Sequence, residues 1–113
     1  MTREIVYLQT FDKNWNKLGL TDEELVELEN IVLVNPQMGN VIEGTGGLRK
    51  LRFALPHGGK RGGVRVLYVD FVQFEKLYFV NVYAKTRQDN LSRQEKAMLK
   101  QAVKMLEESL KGD

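Results

Sequence analysis

The sequence predicts an α+β domain, a small twisted antiparallel sheet with N-terminal helices and a C-terminal helix packed on one face of it. Two capping-box patterns, at Thr21–Glu24 and Ser92–Glu95, each mark the start of a helix. From Leu48 onward the apolar residues alternate with a period of two, which indicates strands. The chain has 113 residues, 42% of them hydrophobic, so a single domain over residues 1–113 is expected.

The N-terminal half begins with a predicted strand and continues with two predicted helices. Residues 5–9 form a short segment of apolar and β-branched side chains, as in a strand. Residues 11–18 suit a short helix around Trp15, and a longer helix starts at Thr21. That second helix ends at Asn35-Pro36, because the residue before a proline disfavours the α conformation. Its predicted apolar face comprises Leu25, Leu28 and Val32.

Three strands and a helix are predicted in the C-terminal half. In the first strand Arg49 points away from Lys50 and Arg52, because successive side chains alternate between faces. A glycine-rich hairpin at residues 56–63 leads to a strand at 64–69. The last strand, residues 77–85, is expected to carry Phe79, Asn81, Tyr83 and Lys85 on one face.

The final predicted helix repeats apolar residues at helical spacing: Leu99, Ala102, Val103, Leu106 and Leu110.

Composition excludes several kinds of site. There is no cysteine, which excludes disulfides, iron–sulfur clusters and thiolate zinc sites. With one histidine, His57, no histidine cluster can bind a metal, so we expect neither metal nor cofactor. No run approaches the ~20 apolar residues of a membrane span, and the N-terminus lacks a signal-peptide core. A cytoplasmic protein without a membrane partner is therefore expected.

Positive charge is concentrated in the middle of the chain. Residues 1–43 have a net charge of −5, residues 44–87 of +7 and residues 88–113 of zero. Clustered like charges repel one another unless an anion is bound, and nucleic acid is the obvious polyanion. The alternative is a solvated basic face that keeps the protein soluble.

Individual residues suggest where such an anion would bind. His57 follows a proline and is either a surface turn residue or an acid–base group. Tyr83 shares its predicted face with Lys85, and Lys50 and Arg52 would extend this face into a basic floor with an aromatic ring. Such a surface suits single-stranded RNA, whose bases stack while its phosphates pair with cations.

Three segments resemble a known family. They are residues 44–52 (GTGGLRKLR), 59–68 (GKRGGVRVLY) and 83–85 (YAK). Together they are similar to the RelE/HigB-type toxins of bacterial type II toxin–antitoxin systems, and most closely to the HigB-like branch. The resemblance implies a RelE-like, microbial-RNase-like fold and ribosome-dependent cleavage of mRNA in the A site. In that reaction the ribose 2′-OH attacks the adjacent phosphate.

The resemblance also implies a partner and a set of site residues. The partner is a cognate antitoxin, usually of helix-turn-helix type, through which alone the toxin would contact operator DNA. Arg65, followed by Tyr68, matches the family's strand motif, Lys50 and Arg52 match its preceding strand, and Lys85 matches its last strand. Further basic residues are candidates for binding RNA or the ribosome: Arg49, Lys60, Arg61 and Arg87.

The general base is left open. Neighbouring positive charges disfavour the charged form of a lysine, so Lys50 or Lys85 is the hypothesis, with Tyr83 as a helper. The arginines Arg52 and Arg65 would stabilise negative charge on the phosphorane.

Two alternatives to a ribonuclease are compatible with the same sequence features. One is a non-catalytic ParE-like toxin that poisons DNA gyrase without cutting RNA. The other is a degenerate toxin that binds only its antitoxin or operator DNA.

Overall fold

The computed structural model describes residues 2–55, 63–85 and 90–112. The strands are β1 (Glu4–Tyr7), β2 (Asn40–Val41), β3 (Arg49–Phe53), β4 (Val64–Phe71) and β5 (Lys76–Ala84). The helices are α1 (Gln9–Lys17), α2 (Asp22–Val34) and α3 (Arg93–Lys111), with a 3-10 turn at Val72–Phe74. The strands form a sheet in the order β1-β5-β4-β3-β2, so the fold is α+β as predicted. Most of the predicted hairpin connection, residues 56–62, lies outside the described residues.

The sheet is mixed, and the prediction of a purely antiparallel sheet was wrong at one edge. β1 runs parallel to β5, with Glu4 opposite Lys76 and Tyr7 opposite Phe79. The other pairs are antiparallel. β1 is separated from β5 by two helices and three strands, a connection long enough to permit parallel pairing. β2 is a strand that the sequence analysis did not predict, and it is only two residues long and exposed.

Helices cover both faces of the sheet, so the prediction of one covered face was also wrong. α1 and α2 bury Trp15 and Leu28 against one face, and Phe53 and Phe79 belong to the same core. α3 buries Val103 against the opposite face in a second core. The reason lies in β4, where residues 64–69 are all buried and both faces therefore need cover.

Both predicted capping boxes are confirmed. The Thr21 hydroxyl accepts from the backbone N–H of Glu24 at 3.1 Å, and Glu24 accepts from the backbone N–H of Thr21 at 2.8 Å. Ser92 and Glu95 form the same pair of bonds at 3.1 and 2.9 Å. α2 ends at Val34, directly before the predicted Asn35-Pro36 boundary. Side-chain oxygens thus satisfy amides that a helix start leaves without partners.

A buried ion pair connects the start of the chain to the central strand. The Arg3 Nε donates to Asp70 Oδ1 at 2.6 Å, and Nη2 donates to Oδ2 at 3.2 Å. Both side chains are only 2% exposed. The hydrogen bond that Arg3 donates to the Asp70 carboxylate raises the pKa of Arg3 above its ordinary value. Asp70 lies in β4, so its bonds with Arg3 fix the segment before β1 to the central strand.

Candidate nucleic-acid interface

Strand register brings three predicted site residues into one row across the sheet. Arg52 of β3 lies opposite Arg65 of β4, and Arg65 lies opposite Tyr83 of β5. Residues paired in antiparallel strands project from the same face, and neighbouring strands are about 4.8 Å apart. The three side chains are therefore neighbours on the face that α3 covers.

The next row of the same face contains Lys50. Lys50 lies opposite Leu67, and Leu67 lies opposite Asn81. Lys85 follows the end of β5, two residues beyond Tyr83, and is exposed. The strand register thus brings Lys50 close to the Arg52–Arg65–Tyr83 row, and Lys85 continues the strand that carries Tyr83.

Arg65 is the most deeply placed cation of this group. It is only 7% exposed and lies in the central strand, whereas Arg52 is exposed and Lys50 is half-buried. Arg52 and Arg65 lie directly opposite one another in adjacent strands. Arginine presents a planar fork of donors that fits a phosphate, so two of them on one face are suited to an anion.

Tyr83 reaches this face because β5 contains a bulge. Leu67 lies opposite Asn81, but the next residue, Tyr68, lies opposite Phe79, which leaves Val80 as an extra residue in β5. Strict alternation would place Phe79 and Tyr83 on one face, as the sequence predicted. The bulge instead places Phe79 in the core beneath α1 and α2 and Tyr83 beside the core beneath α3.

Asn81 is held at the bulge by two hydrogen bonds. Its Oδ1 accepts from Asn14 Nδ2 of α1 at 2.7 Å and from the backbone N–H of Val82 at 2.8 Å. These bonds connect the bulge to α1 beyond the end of β1. They hold in place the segment of β5 from which Tyr83 projects.

Arg49 lies apart from the other cations. It is on the opposite face, where Nη1 donates to the backbone oxygens of Gln37 and Gly39 at 3.0 and 2.8 Å. These bonds secure the segment between α2 and β3. The remaining predicted cations, Lys60, Arg61 and Arg87, and also His57, lie outside the described residues.

Tyr68 has a structural role that the sequence did not reveal. It is fully buried, accepts from the backbone N–H of Gly39 at 2.8 Å and donates to the oxygen of Pro36 at 2.8 Å. Burial raises the pKa of this phenol above its ordinary value. The only local signal was a tyrosine in an apolar strand, a position that favours a packing role for the ring.

A cavity of about 600 Å³ lies next to the cations, between the sheet and the first half of α3. The sequence did not predict it, because it depends on how α3 crosses the sheet. Its lining combines apolar side chains with amide, phenol and carboxylate groups: Leu67, Asn81, Tyr83, Asn90, Leu91, Glu95, Met98, Leu99 and Ala102.

Within residues 2–55, 63–85 and 90–112, no group of three or more His, Cys, Asp or Glu side chains could hold a metal ion. None of the helices in the same ranges combines the length and apolar character that a bilayer crossing requires.

Comparison with known proteins identifies the family. The chain is similar in structure to the isolated RelE toxin of E. coli, with 19% identity, 93% of this chain and 99% of that one covered and a TM-score of 0.56. It also resembles the E. coli RelBE toxin–antitoxin complex (20% identity, 76% of this chain and 100% of that one, TM-score 0.57). The archaeal RelE–RelB complex of Pyrococcus horikoshii OT3 matches at 22% identity over 78% of this chain and 100% of that one, with a TM-score of 0.52. These likenesses confirm the RelE-like fold, while assignment to the HigB-like branch stays a prediction.

A family model for the RelE toxin of the RelE/RelB toxin–antitoxin system matches residues 3–112, nearly the whole chain. The chain therefore belongs to the RelE toxin family of toxin–antitoxin systems.

Proposed function

We propose that this toxin is a ribosome-dependent mRNA endoribonuclease, and that residues 1–113 act as one catalytic domain. The observation that carries the proposal is the register of β3, β4 and β5, which aligns Arg52, Arg65 and Tyr83 in one row with Lys50 beside it. Cations and an aromatic ring on one sheet face suit an RNA strand.

In the proposed reaction the 2′-OH of one nucleotide attacks the phosphate that follows it. The bond from phosphorus to the 5′ oxygen breaks, which leaves a 2′,3′-cyclic phosphate and a 5′-OH. Negative charge develops on the phosphorane oxygens, where Arg65 and Arg52 would stabilise it. Because Arg65 is buried in a packed strand, its charge is held in place before the substrate arrives.

Proton transfer is assigned to the side chains that border the arginine pair. Lys50 or Lys85 would accept the proton of the 2′-OH, with Tyr83 as a helper. A candidate base must come within hydrogen-bond reach of the hydroxyl in the bound state. The ribosome would supply that alignment by holding the message across the sheet.

We also propose that a cognate antitoxin inhibits this toxin, because the similar E. coli RelBE structure is a toxin–antitoxin complex. An acidic antitoxin segment would complement the net charge of +7 on residues 44–87. The antitoxin, usually of helix-turn-helix type, would carry any contact with operator DNA.

The test is cleavage of a defined message on programmed ribosomes, with 5′ ends mapped by primer extension. Arg65→Lys keeps the charge but loses the planar fork, and we expect its cleavage rate to fall about 100- to 1,000-fold. Lys104→Ala, which removes an exposed charge on α3, is the control and is expected to cut at the wild-type rate.

Expression without antitoxin distinguishes the alternatives. New 5′ ends within messages, together with growth arrest, support the ribonuclease. Intact messages with gyrase-dependent DNA breaks would identify a ParE-like poison, and normal growth would identify a degenerate toxin. Wild-type cleavage by Arg65→Lys would refute the role given to Arg65.

A further inference from the structure

The cavity beneath α3 lies on the same sheet face as Lys50, Arg52 and Arg65. Its floor contains Leu67 and Asn81, which share a register row with Lys50, and Tyr83, which shares a row with Arg65. A phosphate over Arg65 would therefore lie beside two lining residues, Leu67 two positions along β4 and Tyr83 directly opposite in β5. At about 600 Å³ its volume falls within the range of small-molecule sites.

The walls suit a flat, partly apolar group. Leu67 lines the sheet side, while Met98 and Leu99 line the helix side. Met98 is 68% exposed, so its thioether borders an opening that a ligand can enter. Flexible, polarisable methionine side chains make favourable contacts with aromatic rings.

Polar groups of defined character face the same space. Asn81 Oδ1 already accepts two hydrogen bonds, from Asn14 Nδ2 and from the backbone N–H of Val82. This leaves its amide group as a donor. Glu95 receives hydrogen bonds from Ser92 that lower the pKa of its carboxyl, so the group is ionised at neutral pH and can only accept.

We propose that this cavity is a nucleobase site that prefers bases with an exocyclic amino group. Glu95 would accept from the amino group, Asn81 would donate to a ring or carbonyl acceptor, and Met98 would cover the ring. The inference rests on the proposed ribonuclease function, since it places a base of the message beside the phosphate held by Arg65. Uracil lacks an amino group and would bind more weakly.

Nucleotide binding to the full-length toxin tests the site without the ribosome. The probes are AMP and UMP, observed through the methyl NMR signals of Met98 and Met105. Met105 is the matched reporter, because it lies on the same helix, is 69% exposed and does not line the cavity. AMP is expected to shift the Met98 signal and leave Met105 unchanged, with UMP binding about tenfold more weakly.

Two variants test whether the Glu95 carboxylate causes the preference for AMP over UMP. Glu95→Gln retains the capping box, since glutamine is accepted at that helix position, and is expected to remove the difference between AMP and UMP. Glu24→Gln makes the same change in the other capping box, away from the cavity. This variant is expected to retain the difference between AMP and UMP.

The nucleotide titrations and the cleavage assay together separate the nucleobase site from the ribonuclease function. Equal shifts of Met98 and Met105, no shift of either, or equal affinity for AMP and UMP in the wild type would overturn the site. Absence of message cleavage together with a selective Met98 shift would instead reject the ribonuclease and retain the nucleobase site.

Discussion

Removing the hydroxyl of Tyr68 should weaken the fold strongly, because that hydroxyl connects the sheet to the segment after α2. Tyr68→Phe keeps the ring in the core but leaves the Gly39 N–H and the Pro36 oxygen without this partner. A buried polar group that loses its partner costs about 1–3 kcal/mol. The Pro36 contact is only partly buried, so we expect the free energy of unfolding to fall by about 2–4 kcal/mol.

Tyr7→Phe is the matched control. Its hydroxyl oxygen is also buried, but it has no hydrogen-bond partner among residues 2–55, 63–85 and 90–112. The ring stacks 5.5 Å from Phe79 and lies 5.7 Å from Phe11, contacts that phenylalanine would keep. Removing an unsatisfied buried hydroxyl should leave stability unchanged or raise it by about 1 kcal/mol.

Urea denaturation measures both variants through the fluorescence of Trp15, the single tryptophan of the chain. Trp15 is 3% exposed and stacks 5.5 Å from Phe11, so its emission reports on the core beneath α1 and α2. Equal losses in the two variants would refute the reasoning, because they would show that hydrogen bonding at Tyr68 is not what distinguishes the sites.

Three further predictions concern the same framework. Because the pKa of Tyr68 is raised, its contribution to stability is fully present below about pH 10 and is lost as the pH rises further; the alkaline loss should be smaller in Tyr68→Phe, as urea titrations at about pH 8–11 would show. Gly39→Ala places a Cβ 2.9 Å from Tyr68 Cε1 and 3.1 Å from the backbone oxygen of Lys50, and should destabilise by about 1–3 kcal/mol in thermal unfolding. Asp70→Ala removes the carboxylate that pairs with buried Arg3 and should cost about 3–5 kcal/mol, whereas replacing both residues with apolar ones should recover much of that loss.

Local sequence signals predicted the helices and the alternation of side chains between the two faces of β3. Thr21 and Ser92 identify their helices because a capping box is complete within four residues. The separation of Arg49 from Lys50 and Arg52 follows from a period of two, which the structure confirms.

Features that depend on distant parts of the chain were not predictable in this way. The parallel pairing of β1 with β5 joins residues more than seventy positions apart, such as Glu4 and Lys76. The bulge at Val80 depends on how β4 pairs with β5, and the cavity depends on the path of α3. The bond between Tyr68 and Gly39 likewise forms only when a loop folds back on the sheet.

Val80 is an additional residue in β5. The side chains before it and after it therefore alternate between the two sheet faces in opposite order. Shortening the strand by one residue at Val80 would restore a regular ladder and still present Tyr83 beside Arg65. Removing Val82 instead would turn the same ring toward α1 and α2. The position of the additional residue along β5, as much as residue identity, thus determines which side chains share a face with Arg65.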